Sequence, residues 1–333
     1  MKKELRILLV VFLFLQFIYW AGPSPAKPTF NRSLPEIETA LEDIDRYIAA
    51  REAELPVKPN NESRIFWNDE HLKNKTAFCL LYLHGFSASG FEGQPTHVNV
   101  AEHFGANAYV PRLAGHGLET TDPLLDMTPD ALYEAAKEAL QIARMLGEKV
   151  IIMSTSTGGT LSLKLAADFP ELVDGLMLLS PNIAINNPAA FLLSKPWGLQ
   201  IARRVYDGKY RYVNENPDDV ECQYWNCQYR LEATVYLQQL VEKTMTKRVF
   251  NRVKAPVFLA YYYQDKNHQD HVVRVDAMLK MFEHLGTPDS LKRKQAFDAG
   301  THVIGCELYS KCQPEVEQAC IRFTETVLGL KAE

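Results

Sequence analysis

The chain has little of what marks several protein classes. Six cysteines in 333 residues are too few for a disulfide-built scaffold. Positive charge does not dominate: the net charge is −5, so no basic field exists to hold a phosphate backbone and no nucleic-acid partner is expected. Internal repeats and low-complexity tracts are missing. Hydrophobic residues at 47% against 23% charged exclude a disordered or collagen-like chain. One long apolar run exists, residues 7–21, broken by Gln16. It falls short of the roughly 20 residues that a bilayer span prefers.

That run follows Lys2, Lys3 and Arg6 and precedes Gly22-Pro23-Ser24-Pro25-Ala26. A basic start, an apolar core and a small-residue exit make an export signal, with Ser24 and Ala26 at the small positions before a cleavage point. Residues 1–26 are therefore expected to be either a removed signal peptide or a retained anchor that associates with a membrane through residues 7–21. Either reading puts the body of the protein outside the cytoplasm, periplasmic or otherwise extracytoplasmic. Residues 27–61 read as a spacer with one helix. Ser33 with Glu36 three residues on forms a capping box, and Ile37, Leu41, Ile44 and Ile48 share a face. Pro56 and Pro59 end it.

Over residues 62–330 short apolar runs alternate with helical patterns. Strands are expected at 78–83, 108–110, 150–153, 176–179, 257–262 and 294–297. Thr128-Pro129 opens a helix that Gly147 stops, and the last helix covers 314–327. Strands buried on both faces and separated by helices predict a mostly parallel sheet with helices on both sides, an α/β fold. The stretch between residues 179 and 257 exceeds what a crossover needs, so about 182–245 is expected to form a small cap over the site. Its aromatic residues Phe191, Trp197, Tyr206, Tyr210, Tyr212, Tyr224, Trp225 and Tyr229 can line a pocket or pack a cap core of their own.

One stretch carries specific chemistry. In Ile151-Ile152-Met153-Ser154-Thr155-Ser156-Thr157-Gly158-Gly159 a hydrophobic strand runs into a tight small-residue turn and then a helix, the setting of a nucleophile elbow. Ser154 and Gly158 flank Ser156 at the positions that must be small, although the usual first glycine is a serine. A nucleophilic serine needs a base, and the base an orienting acid, in the chain order serine, acid, histidine. His302, in a loop after the last strand, is the expected base; His268, His271 and His284 are the other histidines beyond Ser156. Two carboxylates compete for the acid. Asp265 stands at the expected distance from Pro256. Asp270 precedes His271-Val272-Val273 and is preferred, with residues 266–269 as a small insertion. The oxyanion donors are expected to be the backbone N–H groups of Phe86, in His84-Gly85-Phe86, and of Thr157. His84 is read as a loop brace and His116, in Gly115-His116-Gly117, as structural. His268, Asp270 and His271 lack a further ligand set, so no metal site is expected, and the chemistry requires no cofactor. Cys222 with Cys227, and Cys306 with Cys312, are near enough in sequence to pair in an oxidising compartment.

Residues 82–87, Gly115-His116-Gly117, the Ser156 turn, Asp270-x-Val-Val and Gly300-x-His302 occur here in the order found in the α/β-hydrolase fold superfamily. From about 78 to 330 the chain resembles that superfamily, and within it the serine carboxylesterase and monoacylglycerol-lipase-like branch. The resemblance implies a serine hydrolase that cleaves a small-molecule carboxylic ester with a small or medium acyl group, a lipid-like ester among the candidates. Amide or thioester hydrolysis, acyl transfer with the same triad, and a catalytically silent binding protein of the cell envelope remain as alternatives, because one fold hosts many chemistries.

Overall fold

The computed structural model describes residues 2–214, 216 and 219–332. In chain order the elements are α1 (Lys2–Trp20), α2 (Ile44–Ala53), β1 (Arg64–Phe66), β2 (Thr76–Leu83), α3 (Thr96–His103), β3 (Asn107–Val110), α4 (Pro129–Leu146), β4 (Gly147–Thr155), α5 (Thr157–Asp168) and β5 (Gly175–Leu179). They continue with α6 (Gly198–Val205), β6 (Tyr210–Tyr212), α7 (Val220–Tyr224), β7 (Gln228–Arg230), α8 (Leu231–Thr244), α9 (Lys247–Phe250), β8 (Val257–Tyr262), α10 (Val275–Glu283), β9 (Lys292–Phe297) and α11 (Gln313–Thr326).

Seven strands form one sheet in the order β1-β3-β2-β4-β5-β8-β9, with β1 antiparallel to β3 and the other neighbours parallel. The strand period of two separates the core into two layers. Val150 and Ile152 of β4 pack with Leu132 and Leu140 of α4, Leu163 of α5, Leu240 of α8 and Met278 of α10. Their neighbours Ile151 and Met153 pack on the other face with Val100 of α3 and Val316, Cys320 and Phe323 of α11. Burial on both faces is why these strands read as continuous apolar runs rather than alternating ones. α4 starts where the sequence predicts: the Thr128 hydroxyl accepts from Ala131 N–H and Pro129 fills the first turn.

From β2 the chain crosses to β3 on one side, and it returns to β4 on the other. Oppositely directed crossovers leave a crevice at the C-terminal strand ends. Leu83 pairs with Ser154 in the ladder, so the loop after β2 and the turn after β4 emerge there side by side.

The expected helix from Ser33 does not form. Residues 31–40 are non-helical, and helical structure starts only with a 3-10 turn at Leu41–Asp43 before α2. Two causes act together. Pro35 disfavours helical geometry in the residue before it. Tertiary partners also take the backbone: Lys137 Nζ donates to Ser33 O at 2.5 Å, Gln141 Nε2 to Pro35 O at 3.3 Å, and Phe30 N–H to Asp130 Oδ1 at 2.6 Å. Ile44 and Ile48 are buried as expected.

Helix α1 leaves its apolar side chains exposed, and among the described residues no helix is long and apolar enough to cross a membrane. Trp197, one of the aromatics expected to line a pocket or pack a cap core, meets the N-terminal segment: its indole donates to Ile18 O at 3.0 Å and its backbone N–H to Pro23 O at 3.0 Å. Cys222 and Cys227 form a disulfide, whereas Cys306 and Cys312 are free.

One buried charge cluster fastens the N-terminal strap to the domain. Asp168, at the end of α5, has its side chain 1% exposed. It pairs with Lys164 one turn back, accepts from Tyr133 Oη at 2.8 Å, and meets Arg32 at 2.7 Å and Arg252 at 3.5 Å. Burial works against ionisation of Asp168, but the Lys164 and Tyr133 hydrogen bonds and the surrounding cations hold its carboxyl below the usual range. Removing the Asp168 charge leaves the buried Lys164 ammonium uncompensated, a loss of about 3–5 kcal/mol. Asp168→Asn is expected to lower the urea midpoint accordingly at neutral pH. A depressed carboxyl contributes stability above its unfolded pKa and loses it as pH falls through the folded one. The gap between variant and wild type should therefore narrow below about pH 4, and an unchanged midpoint at pH 7 would discount the cluster.

Candidate active site

Gly158 sets the height of the turn after β4. A Cβ there would lie 1.9 Å from Leu83 O, so only glycine lets α5 start directly against the end of β2. Ser154 lies in the ladder opposite Leu178, and among the described residues its buried Oγ has no hydrogen-bond partner. Ser156 itself sits at φ 52, ψ −115, a strained conformation for a residue with a Cβ. Its backbone is tied on both sides, with Ser156 N–H donating to Leu179 O at 3.1 Å and Asn182 N–H to Ser156 O at 2.8 Å. The surrounding sheet thus fixes the turn around a buried residue, Ser156 being 5% exposed.

The loop after β2 lies against this turn. A Cβ on Gly85 would lie 3.1 Å from Ser156 Cβ. His84 braces the loop: its Nε2 accepts from Leu113 N–H at 3.1 Å and its Nδ1 contacts Gly85 O at 2.9 Å. Burial, with the neighbouring His116 adding, keeps His84 well below the ordinary imidazole value, and burial pushes His116 down to about 4. Both rings are neutral and structural at pH 7. The Gly85 N–H is taken by the Glu92 carboxylate at 2.5 Å, and the next N–H in the loop is that of Phe86. The Phe86 ring packs edge-on against Tyr229 of the cap at 5.1 Å. Thr157 begins α5, so its N–H has no carbonyl one turn back to receive it.

The two competing carboxylates separate clearly. Asp270 is 2% exposed, and its Oδ2 lies 2.6 Å from His302 Nδ1. Its Oδ1 accepts from Val272 N–H at 2.8 Å and Val273 N–H at 3.0 Å, which explains why the Asp-x-Val-Val spacing matters. Asp265 lies on the surface with its side chain 53% exposed, bound to the Asn267 and His268 N–H groups and to His268 Nδ1 at 2.9 Å. His268 is thereby drawn away from Asp270. Burial opposes the Asp270 charge, but His302 and the two N–H groups outweigh it and its carboxyl stays below the usual range. Burial likewise opposes protonation of His302, and Asp270, with Glu92 adding, raises it above the ordinary value. Among the described residues His302 Nε2 has no hydrogen-bond partner.

The cap places aromatics around this centre. Tyr224 stacks on Phe91 at 3.9 Å, Asn226 N–H donates to Ser87 O at 2.8 Å, and the Cys222–Cys227 disulfide closes the segment that carries them. A cavity of about 270 Å³ beside His302 is walled by Trp225, Tyr262, Val272, Val303 and Tyr309. A larger one of about 950 Å³ lies between Lys58, Pro59 and the disulfide but contains no residue of the Ser156–His302–Asp270 set. Size does not decide between them; the chemistry does. Of the aromatics named above, Phe191, Trp197, Tyr206 and Tyr212 are exposed and Tyr210 donates to Asp122, while Tyr224, Trp225 and Tyr229 meet Phe91, the cavity beside His302 and Phe86.

Two residues at the site were not legible in the sequence. Glu92 gave no signal beyond being a carboxylate in a loop of small residues, and Tyr309 lies in a segment without a motif. Such an arrangement can position a serine, an imidazole and its carboxylate with two backbone donors near the serine.

Known proteins place the fold. Solved structures with the same architecture include a metagenome-derived lipolytic enzyme, 18% identical, with a TM-score of 0.61 over 80% of this chain and 98% of that one. The monoacylglycerol lipase of Paleococcus ferrophilus is 14% identical with a TM-score of 0.57, over 78% and 96% of the two chains. The putative non-heme bromoperoxidase BpoC of Mycobacterium tuberculosis gives 14% and 0.57, over 80% and 96%. Uncharacterized proteins of Mycobacterium tuberculosis and Mycobacterium bovis are 31% identical over 102 residues, 31% of this chain and 28% of theirs. The chain thus spans less than a third of these curated relatives' length. The sequence profile of the alpha/beta hydrolase family matches residues 80–306, and with the strand order and the turn after β4 it makes this chain a member of the alpha/beta hydrolase family.

Proposed function

We propose that the protein is a serine esterase acting on small-molecule carboxylic esters. The observation that carries this reading is the His302–Asp270 contact at 2.6 Å, which leaves His302 Nε2 without a partner in a centre that also holds the strained Ser156 turn. Ser156 Oγ attacks the acyl carbonyl carbon and its proton passes to His302 Nε2. The Phe86 and Thr157 N–H groups bind the oxyanion. As the tetrahedral intermediate collapses, the leaving alkoxide takes the proton from Nε2 and an acyl-enzyme remains. Water then adds to the acyl carbon with its proton going to Nε2, and that proton returns to Ser156 Oγ as the carboxylic acid leaves. Asp270 stays ionised, fixes the tautomer and stabilises the imidazolium. The cavity of about 270 Å³ is lined by His302 but not by Ser156, and its Trp225, Tyr262 and Tyr309 walls beside the base support an ester with a small or medium apolar acyl group. Lipolytic and monoacylglycerol-lipase neighbours support the ester class.

The same reading keeps the protein outside the cytoplasm, with residues 1–26 as signal peptide or anchor. The basic-apolar-small pattern and the Cys222–Cys227 disulfide support it. Cell fractionation with non-reducing peptide mapping is expected to find the protein extracytoplasmic with that bond intact. A cytoplasmic protein with both thiols free would remove this part of the reading.

A fluorophosphonate probe followed by peptide mass spectrometry is expected to place an adduct on Ser156, absent in Ser156→Ala. Asp270→Asn should slow labelling by about 10³–10⁴-fold and Asp265→Asn by less than about twofold. The base must be neutral to act, and His302 is raised above the ordinary imidazole value. The acid limb of kcat/KM on a 4-nitrophenyl ester should therefore lie above about pH 6.5. A well-folded protein that takes no probe would sink the proposal.

A further inference from the structure

Glu92 is a buried carboxylate that the mechanism above does not use. It lies in the 3-10 turn Gly90–Gly93 and is 2% exposed. Its Oε2 accepts from Gly85 N–H at 2.5 Å and from Tyr82 Oη at 3.4 Å. Tyr82 Oη also contacts Thr155 Oγ1 at 2.9 Å, and Thr155 is the residue before the nucleophile. A Cβ on Gly85 would lie 2.7 Å from Glu92 Oε1 and 3.1 Å from Ser156 Cβ, so carboxylate and nucleophile flank one glycine. The turn is held from the cap side by Phe91 stacked on Tyr224. Burying a charge in this way is costly unless specific partners offset it. A structural role alone would be filled at lower cost by a neutral acceptor.

Building on the serine-hydrolase reading, we propose that Glu92 is a positioning residue of the acyl-transfer site. It anchors Gly85 N–H so that Phe86 N–H faces the oxyanion. Substitution separates the hydrogen bond from the charge. Glutamine keeps an oxygen acceptor for Gly85 N–H and removes the charge; alanine removes both.

Several titratable groups face this pair. Asp270 reaches His302 from the loop after β8. Tyr82 and Cys306 face Glu92 from β2 and from the segment beyond His302. Glu221, Tyr262, His271 and Tyr309 ring the neighbouring cavity. Burial pushes Glu92 itself up to about 7, and Glu92 adds to Asp270 in raising His302 above the ordinary imidazole value. A negative neighbour raises an imidazole pKa, and its removal lowers it.

The test measures two quantities in the full chain. His302 is titrated by NMR through its Nδ1 proton in wild type and Glu92→Gln, and ester hydrolysis is followed against pH in wild type, Glu92→Gln and Glu92→Ala. Glu92→Gln is expected to lower the His302 midpoint by at least about 0.5 pH unit and shift the acid limb of kcat/KM the same way. Its plateau kcat should stay within about fivefold of wild type. Glu92→Ala should lose about 10–100-fold in kcat with KM within about threefold, as for a misaligned oxyanion donor. An unmoved His302 midpoint in Glu92→Gln overturns the electrostatic role. Equal kcat for Glu92→Gln and Glu92→Ala, whether both high or both low, overturns the positioning role. If wild type hydrolyses no ester and takes no probe, the serine-hydrolase reading falls and the positioning role with it, whereas a shifted His302 midpoint in that protein still upholds the Glu92–His302 pairing.

Discussion

The site depends on one close approach. β2 and β4 are neighbours at the point where the crossovers diverge, and α5 must begin almost in contact with the Leu83 carbonyl. Only the missing side chain at Gly158 permits it. That contact puts Ser156 at a positive φ at the top of the sheet, brings the Gly85 backbone within reach of Ser156 Cβ, and leaves the first N–H of α5 without an internal acceptor. The cost of the strained turn is offset by the ladder below it, where β2 and β4 pair from Thr76–Gly147 to Leu83–Ser154 and bury both faces.

Around this turn, burial sorts the ionisable groups by partner. His84 and His116 are buried without a carboxylate and stay neutral, so they serve as spacers and hydrogen-bond braces. His302 is buried against Asp270 and its protonated form is favoured. Glu92 is buried beside one backbone donor and a phenol, too few to hold it at the ordinary carboxyl value. Far from the site, Asp168 has four polar partners and is held low, and it anchors the strap of residues 27–40. The same desolvation acts on every one of these groups; the number and sign of the neighbours decide the outcome.

The cap connects to the site through the disulfide segment. Tyr224, Trp225 and Asn226 touch the loop after β2 or the cavity beside His302, and Tyr229 backs the Phe86 ring. The outward faces of the 3-10 turn Ala190–Ser194 and of α6 take no part in it, which is why only some of the cap aromatics reach the chemistry.

Strand–helix alternation, the Thr128-Pro129 start, the Ser156 turn and the His-Gly-Phe loop were legible in the residues themselves, because period, capping and glycine requirements act over a few neighbours. The helix expected from Ser33 shows the limit: a sound local capping pattern lost to Lys137, Gln141 and Asp130, residues about a hundred positions away. Only the tertiary structure showed which of Asp265 and Asp270 meets His302, since both lie in one loop and differ in burial and in which histidine each contacts. It alone revealed Glu92, whose meaning comes from Gly85, Tyr82 and His302 rather than from its sequence neighbours. Local conformational preference is written in short stretches of sequence, whereas desolvation and charge pairing are set by whichever groups the fold brings together.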